Sequence, residues 1–152
     1  MLGAWVNFGV LLFAQILIFL AFALYEKKLS NALEILGKGI LIGIPFGLSF
    51  DLFFGKLLGL SSYALGFDLA FLIPNAALSY GIFAATILLL KSRPLYFCVA
   101  TLLITGLYEI ANLFLYVWQW QFPVSVVLYP VILAIGYVAG AILVVKANRL
   151  FR

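Results

Sequence analysis

Five long apolar runs fill almost the whole of this chain, and only short polar turns separate them. They cover about residues 4–25, 36–55, 62–90, 95–118 and 123–145. A helix needs ~20 residues to cross a hydrocarbon core about 30 Å thick, so each run is long enough to span. Lipid offers no hydrogen bonds to a bare backbone, and a helix satisfies its peptide groups within its own segment. The expectation is an all-α, polytopic integral membrane bundle of five transmembrane helices, forming a single transmembrane domain over residues 1–152.

Composition narrows the functions open to such a bundle. The chain is 67% hydrophobic and 9% charged, where a soluble domain carries about 25% charged residues. Its formal charge of +4 does not imply nucleic acid, because the basic residues cap the apolar runs and form no stripe. Cys98 is the only cysteine, which excludes a disulfide framework and a CxxC pair. The lack of histidine removes His-ligated haem and most zinc or copper sites. No cofactor and no metal is expected. Ala21-Phe22-Ala23 imitates a signal-peptidase site, but no basic residue precedes the first run and Lys27 and Lys28 follow it. A cleavable signal has the reverse flanks, so the run reads as a retained first helix.

The polar residues inside the runs fall into groups. Thr101, Thr105, Glu109, Asn112 and Tyr116 share an arc of about 80° on a helix, within the fourth run. A charge at the centre of a spanning helix costs roughly 2.5–3.5 kcal/mol, so this stripe should face protein or a wet cavity. Asp68, Asn75, Ser79 and Thr86 fall within about 40° on a third helix read as starting at Ser62. Straight, that helix would be about 43 Å long, so it must tilt, bend at Pro74 or begin at the interface. In the second run Gly39, Gly43, Gly47, Asp51 and Gly55 recur every four residues. Small residues at this spacing let backbones approach closely, with Asp51 at the margin of the contact. Pro45 frees the carbonyl of Leu41, and Asn31-Ala-Leu-Glu34 has capping-box spacing. Gln15 reads as an interhelical hydrogen bond. Trp118-Gln119-Trp120 suits an interfacial belt. Ser125, Tyr129, Gly136 and Gly140 share a face of the fifth helix, where the two glycines read as packing.

Charge sets an orientation. Lys27, Lys28, Lys38, Lys91, Arg93, Lys146, Arg149 and Arg152 fall on one side of a five-span chain, and Lys56 on the other. The positive-inside rule then places the amino terminus outside and the carboxyl terminus in the cytoplasm. Asp51, Asp68 and Glu109 fall in the outer half, with Lys56 at the rim, while Glu26 and Glu34 solvate the inner loop.

No phosphate loop, aspartate-rich diphosphate site, nucleophile elbow or deeply placed lysine is present. What remains is a cluster of intramembrane carboxyl groups with asparagines and tyrosines around it. Such a cluster permits acid chemistry on a lipidic substrate, proton or cation transport, or a structural network within a larger membrane complex. The stretch Ile42-Gly-Ile-Pro-Phe-Gly47, Asp51-Leu-Phe-Phe-Gly-Lys56, Gly59, Tyr63-Ala-Leu-Gly66 and Pro74 resembles the carotenoid end-group membrane enzymes. Its spacing is similar to the lycopene cyclase domain, and its Pro-Phe-Gly to the carotenoid hydratases. The resemblance covers about a third of the chain. Where the cyclase domain has paired glutamates, this chain has Asn75 and Ala76, so the acid role does not carry over to that site. The resemblance implies Asp51 as the matched residue, with Glu109 as a proton donor by a different route. The combined expectation is a polar pocket in the outer half of the bilayer that binds an isoprenoid- or lipid-like molecule and acts on it by acid chemistry. Glu109 and Asp51 are the candidate catalytic groups, and Asp68, Asn75, Asn112, Thr105, Tyr116 and Lys56 the candidate binding groups. The alternatives are a small proton- or cation-coupled transporter or channel subunit, and a structural subunit. Oligomers would form through the glycine-rich helix faces.

Overall fold

The computed structural model describes residues 2–90, 93–121 and 129–151. Lys91, Pro123, Ser125 and Arg152 lie outside the described residues. Among the described residues five helices are long and apolar enough to cross a membrane. They are α1 (Leu2–Tyr25), α2 (Leu29–Leu57), α3 (Leu69–Leu89), α4 (Pro94–Leu115) and α5 (Tyr129–Asn148). Two short strands, β1 (Ser61–Tyr63) and β2 (Trp118–Trp120), pair antiparallel with Ser62 opposite Gln119. They tie the α2–α3 connection to the segment after α4 at one end of the bundle, called here the strand end. Gln121 N–H to Leu60 O and Ala64 N–H to Val117 O extend the ladder at either side.

The strand corrects the expectation of a helix from Ser62. Gly66, at φ +74°, makes the turn after Tyr63. The α-helix begins only at Leu69, and its 21 residues rise about 32 Å at ~1.5 Å each. The excess length is therefore removed by a strand and a turn. The aromatic Trp118-Gln119-Trp120 segment, read as a belt, is the partner strand. Gly59, at φ +65°, closes α2, and the N–H groups of Gly59 and Leu60 return to the carbonyls of Gly55 and Phe54.

Helix α3 is the centre of the bundle. In its most apolar window 67% of residues are buried, against 17% to 33% in the other four helices. Its packing on α2 is a backbone contact. A Cβ at Gly39 would lie 2.5 Å from the Gly81 carbonyl, and one at Gly43 would lie 2.4 Å from the Gly81 nitrogen. One at Gly47 would lie 2.8 Å from the Tyr80 ring. The glycine row thus works as its spacing suggests, but within one chain, so that face is not free for a second copy. On α5 the reading of paired glycines as packing holds for Gly140, which is buried with its Cβ position 3.3 Å from Phe46 of α2, but not for Gly136, where a Cβ meets nothing within 4 Å.

Apolar clusters fill both ends. Phe19, Ala23, Ile82 and Leu89 pack α1 against α3, while Phe8, Leu11, Phe71 and Val117 pack beneath the strands. Phe83, Ile87, Ile104 and Val144 join α3, α4 and α5. Large apolar side chains also point outward, with Leu33 at 85% and Phe114 at 80% exposed. At the end opposite the strands Lys28 Nζ donates to the last-turn carbonyl of Leu89 at 2.6 Å. The capping box does not form: Asn31 makes no side-chain cap, and Glu34 pairs with exposed Lys38 at 2.7 Å instead. Glu26 is not a solvated loop residue either. It is 8% exposed and accepts from the Tyr96 hydroxyl.

Candidate functional site

Two helices change their winding where polar residues enter the interior. Helix α2 is α-helical to Phe50 and π-helical over Asp51–Leu57, and α3 is π-helical over Asn75–Tyr80, directly after Pro74. Proline removes an amide from the i→i−4 ladder, and a wider π-turn re-aims the residues that follow. Asp51 and Asn75 stand at the first positions of these two turns and meet. Asn75 Nδ2 donates to Asp51 Oδ2 at 3.0 Å, while the hydroxyls of Tyr63 and Tyr80 both donate to Asp51 Oδ1 at 2.6 Å. Asp51 is 0% exposed, so these neutral donors replace the water it would otherwise bind. Helices α2 and α3 and strand β1 are held together at this carboxyl group.

A cavity of about 520 Å³ lies between this knot and α5. Its walls are largely aromatic, with Phe46, Phe50 and Phe54 from α2, Phe83 from α3 and Trp120 from β2. Tyr63, Asn75 and Tyr80 border it, but Asp51 does not. Asp51 therefore acts behind the wall, positioning the tyrosines, and cannot itself touch an occupant. Gln15 also borders the cavity and donates to Ser79 Oγ at 2.9 Å, the interhelical bond its isolation in α1 suggested.

A second cavity, about 500 Å³, lies alongside. Thr105, Glu109, Asn112 and Tyr116 all line it, so most of the α4 stripe does form one wall. The hydrogen bonds within the stripe differ from the expectation. Glu109 Oε1 accepts from Trp120 Nε1 at 3.1 Å and from the Tyr137 hydroxyl, and bonds neither Asn112 nor Thr105. Thr105 turns its hydroxyl back onto the Thr101 carbonyl at 2.9 Å. Asn112 is engaged with backbone: Oδ1 accepts from the N–H groups of Val117 and Trp118 at 3.0 Å, and Nδ2 donates to the Trp118 carbonyl at 2.8 Å. It ends α4 and launches β2. Tyr116, left-handed at φ +51° and 64% exposed, makes the turn between them. Asn112 thus borders the chamber with both polar atoms of its side chain committed to backbone groups.

Two of the candidate binding groups lie away from both cavities. Asp68 is exposed and caps α3, its Oδ1 accepting from Ala70 N–H at 3.2 Å. A helix whose first residue is Leu69 leaves Asp68 outside its polar stripe, while Asn75, Ser79 and Thr86 are buried. Lys56 is exposed and lines neither cavity. The residues that spacing did not single out are Tyr63 and Tyr80 as partners of Asp51, Tyr137 as partner of Glu109, and Tyr108 on the cavity wall. Their signal was available: a tyrosine within an apolar run needs a partner for its hydroxyl. Among the described residues no group of acidic or cysteine side chains could hold a metal ion.

Tyr137, Trp118 and Trp120 border both cavities, so the donors to Glu109 also form the partition between the two chambers. Together the site is an apolar, aromatic interior space with neutral hydrogen-bonding groups at its wall and one carboxyl group at its partition. No protein-family model matches this chain, and neither a curated protein nor a solved structure was found to match it.

Proposed function

We propose that this is a multi-pass membrane protein that binds a hydrophobic, isoprenoid- or lipid-like molecule in the aromatic cavity, with Glu109 behind the partition and able to exchange a proton with it through the Tyr137 hydroxyl, which borders both chambers. The observation that carries the reading is the cavity itself. At about 520 Å³ it falls within the roughly 300–1,000 Å³ range of small-molecule sites, apolar with a few convergent polar groups. The outward leucines and phenylalanines support insertion, since only a lipid phase solvates them without cost. Lys27, Lys28, Lys38, Arg93, Lys146 and Arg149 belong to the end opposite the strands, and Lys56 to the strand end. By the positive-inside rule the strand end and amino terminus face outside and the carboxyl terminus faces the cytoplasm. The cavity then opens within the outer half of the bilayer.

The isoprenoid assignment draws on the resemblance to carotenoid end-group enzymes. Asp51, Tyr63 and the residue after Pro74 belong to that resemblance, and all three meet at one carboxyl group. Asn75 there supplies an amide donor where the cyclase domain supplies acids. This leaves Glu109 as the acid bordering a chamber.

Mass spectrometry of lipids retained through gentle purification tests the reading. The wild-type protein should carry a specific apolar molecule, and Gly136→Leu, at a wall position where an added Cβ meets nothing within 4 Å, should lose it while folding normally. Ion flux in sealed vesicles with no retained molecule would favour the transporter reading. Neither flux nor ligand, with a copurifying protein, would favour a structural subunit.

A further inference from the structure

We propose that the occupant of the aromatic cavity is an uncharged, oxygenated lipid, an alcohol or ketone on an apolar skeleton, and neither a hydrocarbon nor an anion. This rests on the ligand-binding reading above and narrows it to a chemical class.

The charge argument comes from what borders the two chambers. Among the described residues no lysine or arginine lines either cavity, and the chain has no histidine. The acidic groups, by contrast, are close: Glu109 lines the smaller chamber, and Asp51 lies one hydroxyl behind Tyr63 and Tyr80. A buried phosphate or carboxylate needs cations or several charge-assisted hydrogen bonds. This wall offers it carboxyl groups as neighbours.

The oxygen argument comes from three groups on the wall of the larger cavity whose hydrogen bonds are not made, the Trp118 Nε1–H and the side chains of Gln15 and Tyr108. Gln15 is 1% exposed, and its Nε2 is spent on Ser79 while its Oε1 has no partner. Whichever way the amide is turned, one of its two polar atoms is left over. Tyr108 is 4% exposed and its hydroxyl makes no hydrogen bond, with the Thr86 hydroxyl, itself donating to the Ile82 carbonyl, as a polar neighbour. Leaving such a group unsatisfied costs roughly 1–3 kcal/mol, and nearly all buried polar groups avoid it. A hydroxyl can donate to an amide oxygen or accept from a phenol, and a ketone can accept. A hydrocarbon does neither. The remaining wall, with Phe46, Phe50, Phe54 and Phe83, suits the apolar skeleton.

The test measures saturable binding of three tritiated probes of matched skeleton, farnesol, farnesene and farnesoic acid, to the full chain in nanodiscs. Farnesol should bind at least tenfold tighter than either of the others. Tyr108→Phe deletes only an unpartnered hydroxyl, so it should fold as wild type. Tyr108→Phe and Gln15→Leu should each weaken farnesol several-fold and leave farnesene unchanged. Farnesene binding as well as farnesol, as it would if water satisfied these atoms permanently, overturns the inference. So does preferred binding of the acid, or a farnesol preference that both variants leave intact. In those cases probe binding abolished by Gly136→Leu would keep the cavity reading standing. No saturable binding of any probe, or binding that Gly136→Leu leaves untouched, sinks the cavity reading and this inference with it.

Discussion

Replacing Asp51 separates a hydrogen-bonding role from a merely space-filling one. Asp51→Leu removes an acceptor of three bonds and strands the hydroxyls of Tyr63 and Tyr80 and the amide of Asn75. An orphaned buried donor costs about 1–3 kcal/mol, and at a fully buried position no bulk water replaces the lost partner. The two hydroxyls lie 3.4 Å apart and can still bond each other, which removes one orphan. The expected loss is therefore about 2–6 kcal/mol. Asp51→Asn behaves differently. Its amide oxygen can accept from both tyrosines, and a flip of Asn75 presents an oxygen to its new N–H group, which restores all the bonds. That variant should stay within about 1 kcal/mol of wild type. Reversible unfolding in mixed micelles, followed by circular dichroism, measures both. Equal stability of Asp51→Leu and Asp51→Asn would refute the reasoning, because the knot would then contribute nothing beyond volume.

Gly43→Leu and Gly47→Leu should lower folded yield far more than Leu41→Phe, since Leu41 is 59% exposed and the glycines touch the α3 backbone or the Tyr80 ring; size-exclusion profiles of the three variants decide this. Asn112→Ala should destabilise by about 2–4 kcal/mol and open residues 116–121 to limited proteolysis, because three bonds to β2 and the segment before it are lost. Cysteine labels at Ser62 and Gln121 should react from outside sealed cells, and a reporter fused after Arg152 should read cytoplasmic. The reverse pattern would invert the assigned orientation.

The five helices were legible because each rests on a local property, a run of apolar residues long enough to span. The glycine row was legible for the same reason: Gly39, Gly43 and Gly47 carry their contact in their spacing. Pairing was not legible. Asp51 and Tyr63 are separated by a strand and a π-turn, and neither a strand of three residues nor a π-turn has a periodicity to read. The stripe on α4 was placed correctly as a wall, because helical spacing fixes which side chains share a face. Its bonds were not, because Trp120 and Tyr137 reach Glu109 from other elements. Asp68 was misplaced by a single assumption, a helix continued one turn and more beyond its true start at Leu69.

The central claim, that a lipid-like molecule occupies the aromatic cavity, can be read from the protein's own tryptophans. Trp118 and Trp120 border that cavity, whereas Trp5 packs on Phe8 and Phe71 at the strand end. In a Trp5→Phe background the emission reports only the two cavity tryptophans. Titration with farnesol in nanodiscs should shift that emission saturably at one equivalent per chain, and Gly136→Leu should abolish the shift. A linear, unsaturable response, or one that Gly136→Leu leaves unchanged, would contradict the claim.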